Sequence, residues 1–198
     1  MAESTMNDVP LFPLNALVCP RGRIPLRVFE TRYLDMVSSC LQRGSGFVIV
    51  MLRDGDEVGM GTSQFYQVGT LVDIVDFGQT DQGILDITCE GLYRVNIHSA
   101  RQRRDGLWVG QIERACEEDF VALPDEYEDL KAVLQALVQH PMVEGLNLEI
   151  DYQDGRQVGW RLTELLPLDN DQKQKLFEMN DTLSRLQTLS DQLSAMAS

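Results

Sequence analysis

Glu30, Arg32 and Tyr33, directly after Phe29, form the tightest group of chemistry-bearing side chains in this sequence. A carboxylate, a guanidinium fork and a phenol so close together could grip a peptide segment through charge-assisted hydrogen bonds and apolar contact. The same residues could instead lock a helix onto a sheet. Glu30 and Thr31 stand where a strand gives way to a helix, and a carboxylate there can accept from the unsatisfied amides of the first turn. Arg32 could pair with an acidic group across the domain, and Arg94, after a turn at Glu90-Gly91, could do similar work. Cys19, near Arg21 and Arg23, has the cationic surroundings that favour a thiolate, yet its apolar flanks favour a small buried hydrophobe.

Other constellations are missing their parts. A phosphate-binding loop needs Gly followed by Lys-Ser or Lys-Thr, and the three lysines (Lys131, Lys173, Lys175) never follow a glycine. His98 and His140 lie far apart, without a Cys or His at zinc-site spacing. His140, ahead of Pro141, is expected to end a helix and meet its last carbonyls. No G-x-S-x-G elbow occurs, although a triad assembled from distant residues stays open. The expectation is no catalytic residue, no metal and no cofactor.

The elements that would position these groups follow from pattern. Pro10, Pro13, Pro20 and Pro25 each remove a backbone donor, so the opening segment is expected to form short edge strands broken by turns. Leu14, Leu17 and Val18 lie on extended pieces, Arg21-Gly22-Arg23 makes a turn, and Ile24 to Phe29 resumes as a strand. Thr31 to Arg43 sets Tyr33, Leu34, Val37, Cys40 and Leu41 on one helical face, with Gly44 as the stop. Phe47 to Leu52, bounded by Gly46 and Asp54-Gly55, reads as a strand buried on both faces. Gln67 to Phe77 is another strand, and Gly78 to Gly83 is turn-rich. Ile84 to Glu90 alternates with period two, and Leu92 to Ala100 pairs with Leu107 to Cys116 around Arg101-Gln102-Arg103-Arg104 and Asp105-Gly106.

Helical spacing takes over after an acidic run from Glu117 to Asp129, read as a solvated linker and helix start. Pro124 suits a first turn, and Tyr127, Leu130, Val133, Leu134, Leu137 and Val138 recur on one face until His140-Pro141. A second helix is expected over Arg156 to Leu166, and Asp169 with Gln172 forms a capping box for a third through Glu178. Asp181 can cap a fourth, striped by Leu183, Leu186, Leu189, Leu193 and Met196. The fold class is α+β. Its expected parts are a flexible N-terminus over residues 1–8, a β subdomain over 9–118 and a helical subdomain over 119–198.

Of 198 residues, 43% are hydrophobic and 24% charged, ordinary for a globular chain. No run nears the roughly 18 apolar residues of a membrane span, and MAESTMNDVP lacks the apolar core of a secretory signal. With no export signal, Cys19, Cys40, Cys89 and Cys116 are expected to be reduced thiols in the cytoplasm. Acidic residues outnumber basic ones 31 to 17, a net charge of −14 that repels phosphate backbones. The basic turn at Arg101–Arg104 is short and reads as solvated, so neither nucleic acid nor membrane is expected as a partner.

Four runs, in order, carry a family resemblance. Leu11-Phe12-Pro13-Leu14, Cys19-Pro20, Ile24-Pro25-Leu26 and Phe29-Glu30-x-Arg32-Tyr33 make the first. Val68-Gly69-Thr70, then Cys89-Glu90-Gly91-x-x-Arg94-Val95, then Leu165-Leu166-Pro167-Leu168 with Lys173-Gln174-x-Leu176 follow. From about Val9 to Leu189 the chain resembles the Lon N-terminal domain, the substrate-binding domain of Lon proteases, in its free-standing bacterial form without ATPase and peptidase. Cys19 departs from the usual Phe, and Arg21 intervenes before Gly22. The resemblance implies a PUA-like antiparallel or mixed β barrel with an inserted helix, followed by a helical subdomain. It further implies a non-catalytic module that binds unfolded or exposed apolar polypeptide segments, in a groove beside helices or along an open strand edge. Phe29, Arg32 and Tyr33 are the expected contacts, and Pro13, Pro20, Pro25, Glu30, Gly69, Glu90, Gly91 and Arg94 the structural frame. A protease or chaperone as working partner, and a homo-oligomer, are compatible with it. An RNA-binding module and a hydrolase are the alternatives left open.

Overall fold

The computed structural model describes residues 5–54, 64–79 and 84–196. The chain divides into two compact units, Met1–Ala115 and Cys116–Ser198, a little ahead of the boundary expected at 118. The first is built from strands β1 (Met6–Leu14), β2 (Arg23–Val28), β3 (Phe47–Asp54), β4 (Gln64–Phe65), β5 (Val68–Gln79), β6 (Leu85–Gln102) and β7 (Trp108–Arg114), with helix α1 (Thr31–Arg43) between β2 and β3. Gly55 and residues 80–83, where turns were expected, lie outside the described residues.

The strands form one sheet in the order β1-β7-β6-β5-β3-β4, with β2 on β6, and β1 pairs additionally with β3. The pairing path from β1 through β7, β6, β5 and β3 therefore returns to β1. Among the described strands only the β1–β3 pair is parallel.

The prolines of β1 do not break it, contrary to the sequence expectation. Its two pairings are consecutive: Met6 to Leu11 face β7, and Leu11 to Leu14 face β3. Pro10 and Pro13 thus each have one neighbour, which leaves the other side for the missing donor. Met6, expected in a flexible tail, is likewise held, opposite Ile112. Nor is there a turn at Glu90-Gly91. The two strands expected there are one 18-residue strand, β6, irregular where β5 slips register between Leu71 and Val72.

Burial of β3 on both faces is as the continuous apolar run predicts. Phe47 and Ile49 join a core with Phe12, Val28, Tyr33 and Val37, while Val48 and Val50 join another with Leu11, Val95 and Ile112. Helix α1 ends at Gly44, whose φ of 60° and ψ of 40° are the left-handed cap that glycine adopts without strain. Its buried face is Arg32, Tyr33, Met36, Val37 and Cys40. Leu41, expected inside, is exposed.

In the second unit a 3₁₀ turn (Asp125–Tyr127) leads to α2 (Glu128–Val138), α3 (Pro141–Glu144), α4 (Gly155–Leu165), α5 (Asn170–Glu178) and α6 (Thr182–Met196). The α5 capping box is formed in both directions, Asp169 to the Gln172 amide and Gln172 to the Asp169 amide. Asp181 accepts from the Ser184 amide at the start of α6, and the Ser184 side chain and amide together hold its carboxyl below the usual range. Leu186, Leu189 and Leu193 pack into a core with Leu134, Val158, Leu162 and Leu176, but Leu183 and Met196 face outward. His140 serves both helices: its amide donates to the Leu137 carbonyl at the end of α2, at 3.1 Å, and its Nδ1 accepts from the Met142 amide at the start of α3, where Pro141 supplies a ready first helical position.

The solvated linker expected from the acidic run does not extend to Glu118. Its carboxylate is buried and accepts from both terminal nitrogens of Arg185, at 2.6 and 2.8 Å, and from Thr182 Oγ1 at 2.7 Å. Arg185 completes its shell on the carbonyls of Leu176 and Met179.

Candidate functional site

The β2–α1 junction brings Phe29, Glu30, Arg32 and Tyr33 together by chain continuity, then sends them in different directions. Phe29 is 59% exposed. Tyr33 is buried, its ring 4.1 Å from that of Phe12. A cleft of about 180 Å³ opens here, lined by Phe12, Leu14, Leu26, Phe29, Glu30 and Tyr33 among others. Phe29 stands at its rim and Tyr33 in its wall.

Arg32 is turned inward. Its Nη2 lies 2.8 Å from Glu30 Oε2, and its Nη1 donates to the Gly106 carbonyl at 3.0 Å, tying the start of α1 to the β6–β7 turn. The guanidinium carbon also sits 4.8 Å from the Tyr33 ring centroid. Glu30 occupies the N-cap of α1, but its side chain caps no amide. A charged guanidinium is a stronger donor than a peptide amide, so the carboxylate goes to Arg32. The acidic partner expected across the domain is therefore a near neighbour in sequence.

The remaining motif residues lie elsewhere in the β unit. Pro13 lies in β1, Pro20 in the turn before β2 and Pro25 within β2. Glu90 accepts from Arg23 at 2.8 Å, and Arg94 is buried. Gly69 and Gly91 are sites of close backbone approach: an added Cβ would stand 2.7 Å from the Ile49 carbonyl oxygen and 2.2 Å from that of Cys19.

A second cleft, of about 560 Å³, shares Pro25, Leu26 and Arg27 with the first and is completed by Asp76, Phe77 and Gly78 of β5 and by Asp86, Ile87 and Thr88 of β6. Sequence reading missed it. Alternation put Asp86 and Thr88 on one face, but only the register sets Thr88 between Pro25 and Asp76, and Ile87 between Leu26 and Phe77. Phe77 is 63% exposed.

Among the described residues no group of three or more His, Cys, Asp or Glu could hold a metal ion, and no helix is long and apolar enough to cross a membrane. His98 pairs with Glu113 at 2.6 Å on an exposed strand. Cys19 is fully buried, as the packing alternative expects. Cys40 and Cys89 are buried too, and desolvation pushes the Cys89 thiol up to about 12. Cys116 is exposed. Titration with an alkylating reagent near neutral pH is therefore expected to label one thiol rapidly, Cys116, and the other three only on unfolding. Rapid labelling of a second cysteine in native protein would contradict this burial.

Residues 8–195 match the family described as the ATP-dependent protease La (LON) substrate-binding domain. Among solved structures, the Lon N-terminal domain protein from Xanthomonas campestris is 32% identical, with a TM-score of 0.76 over 95% of this chain and 98% of that one. The N-terminal domain of a Mycobacterium avium complex Lon protease shares the fold at 18% identity, with a TM-score of 0.59 over 95% and 97% of the two chains. Lon protease of Vibrio parahaemolyticus is 23% identical over 205 residues, which take in 98% of this chain but only 25% of that relative's length. The matched span runs from β1 into α6 and takes in every motif described above, so the chain belongs to the Lon substrate-binding domain family.

Proposed function

We propose that this chain is a non-catalytic module that captures unfolded or exposed apolar polypeptide segments for proteolysis-related recognition. The observation that carries this is Phe29, a large apolar ring 59% exposed at the mouth of an apolar cleft. Phe29 and Tyr33 contact the bound segment, and Arg32 positions them by holding Glu30 and the Gly106 turn. The strand path that closes on β1 reads as a PUA-like barrel, with residues 9–118 as the capture subdomain and 119–198 as a helical companion. A cytoplasmic setting suits the four thiols, and a protease or chaperone is the fitting recipient of what is captured.

The test is binding of a permanently unfolded polypeptide, such as a reduced and carboxymethylated protein, to the full chain. Phe29→Asp should weaken that binding about tenfold or more, since losing a buried phenyl contact is worth about 1.5–3 kcal/mol. Its thermal melt should stay that of the parent, because an exposed ring supports little of the core. Unchanged affinity in the variant would remove this cleft from the function.

A further inference from the structure

We infer that the captured segment binds as an added strand on the outer edge of β2, with an apolar side chain in the first cleft; this rests on the capture function proposed above. Among the described residues β2 pairs with β6 and with no other strand. Its other edge therefore carries backbone groups that the ladder does not use. Which groups these are follows from the alternation of bonded and non-bonded partners in an antiparallel pair. The Gly91 amide donates to the Gly22 carbonyl at 2.9 Å, so Gly22 and Gly91 stand as a bonded pair. Stepping by two along the register, Ile24, Leu26 and Val28 bond to β6 opposite Cys89, Ile87 and Leu85. Pro25 and Arg27 fall between them, and their backbone groups turn away from β6. The proline agrees with this, since a sheet admits one where no donor is needed.

The first cleft lies on that side of the strand. Pro25 to Val28 line it together with Phe12, Leu14 and Tyr33, and among the described residues none of β6 does. A segment laid along β2 meets the Pro25 carbonyl and both the amide and the carbonyl of Arg27. Leu26 packs on the core that holds Phe12 and Tyr33, so side chains on that face of an added strand point into the cleft. Pro25 offers no donor, which limits the edge to about one repeat of the ladder. That length suits a short stretch of unfolded chain and opposes long edge-to-edge pairing. A second copy of this chain is a poor occupant. Joining two β2 edges would set Arg27, its side chain 80% exposed, close to its counterpart. Two chains of charge −14 also repel at a distance. Uncharged residues of an unfolded segment meet neither penalty.

Backbone substitution tests this, with the reduced and carboxymethylated polypeptide as probe. Arg27→Pro deletes the edge amide, whereas Arg27→Ala removes the same side chain and keeps it. The two should melt alike, because that amide serves no ladder bond in the chain alone. Arg27→Pro should bind the polypeptide about fivefold more weakly than Arg27→Ala, the loss of one backbone hydrogen bond. Hydrogen exchange on the native chain gives a second reading. The Leu26 and Val28 amides should be protected with or without polypeptide. The Arg27 amide should exchange freely in the chain alone and slow about tenfold or more at saturation. Equal binding by the two Arg27 variants, or an Arg27 amide that stays fast at saturation, would overturn the added strand. So would a melt for Arg27→Pro well below that of Arg27→Ala, since it would place the amide inside the β2–β6 ladder. Protection of Arg27 that rises with protein concentration alone would assign the edge to a second copy instead. If the added strand fails while Phe29→Asp still weakens binding, the capture function stands on side chains alone. If Phe29→Asp changes nothing, the cleft is lost, and this mode of capture with it.

Discussion

Replacing Arg185 by alanine is expected to destabilise the helical unit by about 3–5 kcal/mol, the cost of leaving a buried carboxylate without its counter-charge. Glu118 and Arg185 are joined through both oxygens and both terminal nitrogens, and the Arg185 side chain is 0% exposed. The loss spreads further, because Arg185 also donates to the Leu176 and Met179 carbonyls near the end of α5. Both carbonyls then lose a charge-assisted bond. Urea unfolding followed by circular dichroism should show an earlier midpoint for the helical signal. The double change Glu118→Leu with Arg185→Met separates charge from packing. It removes both ions, fills similar space, and should recover most of the loss. A single Arg185→Ala variant as stable as the parent would mean that the pair contributes nothing.

This ion pair also marks where sequence reading stops. Glu118 stands in a run of acidic residues whose pattern is that of a solvated helix start, and Glu117 and Asp119 beside it are indeed exposed. Only its place opposite α6, far along the chain, turns Glu118 inward. Local signals fared better. Gly44 after a periodic helix, and Asp169 with Gln172 three residues on, act within one turn of backbone, so the α1 stop and the α5 cap were legible. Strand β3 was legible because a continuous apolar run requires two cores. The prolines of β1 misled because the argument from a missing donor assumes simultaneous neighbours, whereas β7 and β3 take turns along the strand. At the site, spacing could show that Phe29, Arg32 and Tyr33 share a junction. It could not show that Arg32 folds back on Glu30, a choice made by burial and by the Gly106 carbonyl. The second cleft was out of reach for the same reason: Asp76 reaches Thr88, and Gly78 reaches Asp86, only through the β5–β6 register.

Gly91→Ala is the other large effect, and it is set by backbone rather than charge. The Cβ would stand 2.2 Å from the Cys19 oxygen and 3.0 Å from its carbonyl carbon, with Thr70 Cγ2 at 3.2 Å. A side chain in the way could rotate; a carbonyl cannot move without its strand connection. That connection is fastened at this very residue. The Arg21 amide donates to the Gly91 carbonyl at 2.7 Å, and the Gly91 amide to the Gly22 carbonyl at 2.9 Å. Thr70 Oγ1 adds a bond to the Val18 carbonyl at 2.6 Å. Making room for one methyl group therefore pulls the turn before β2 away from β6 and strains two backbone bonds. Overpacking costs about 1–3 kcal/mol, and each weakened buried bond about 1 kcal/mol more. The melting temperature should fall by roughly 10 °C for a chain of this size. Gly78→Ala is the control, because its Cβ would meet nothing within 4 Å, and its melt should stay close to the parent's. Because β2 carries Phe29 at its end, Gly91→Ala should also weaken capture of unfolded polypeptide below its melting point, whereas Gly78→Ala should leave capture intact. Equal melts for the two glycine variants would show that the turn gives way freely, and the clamp on β2 would have to be abandoned.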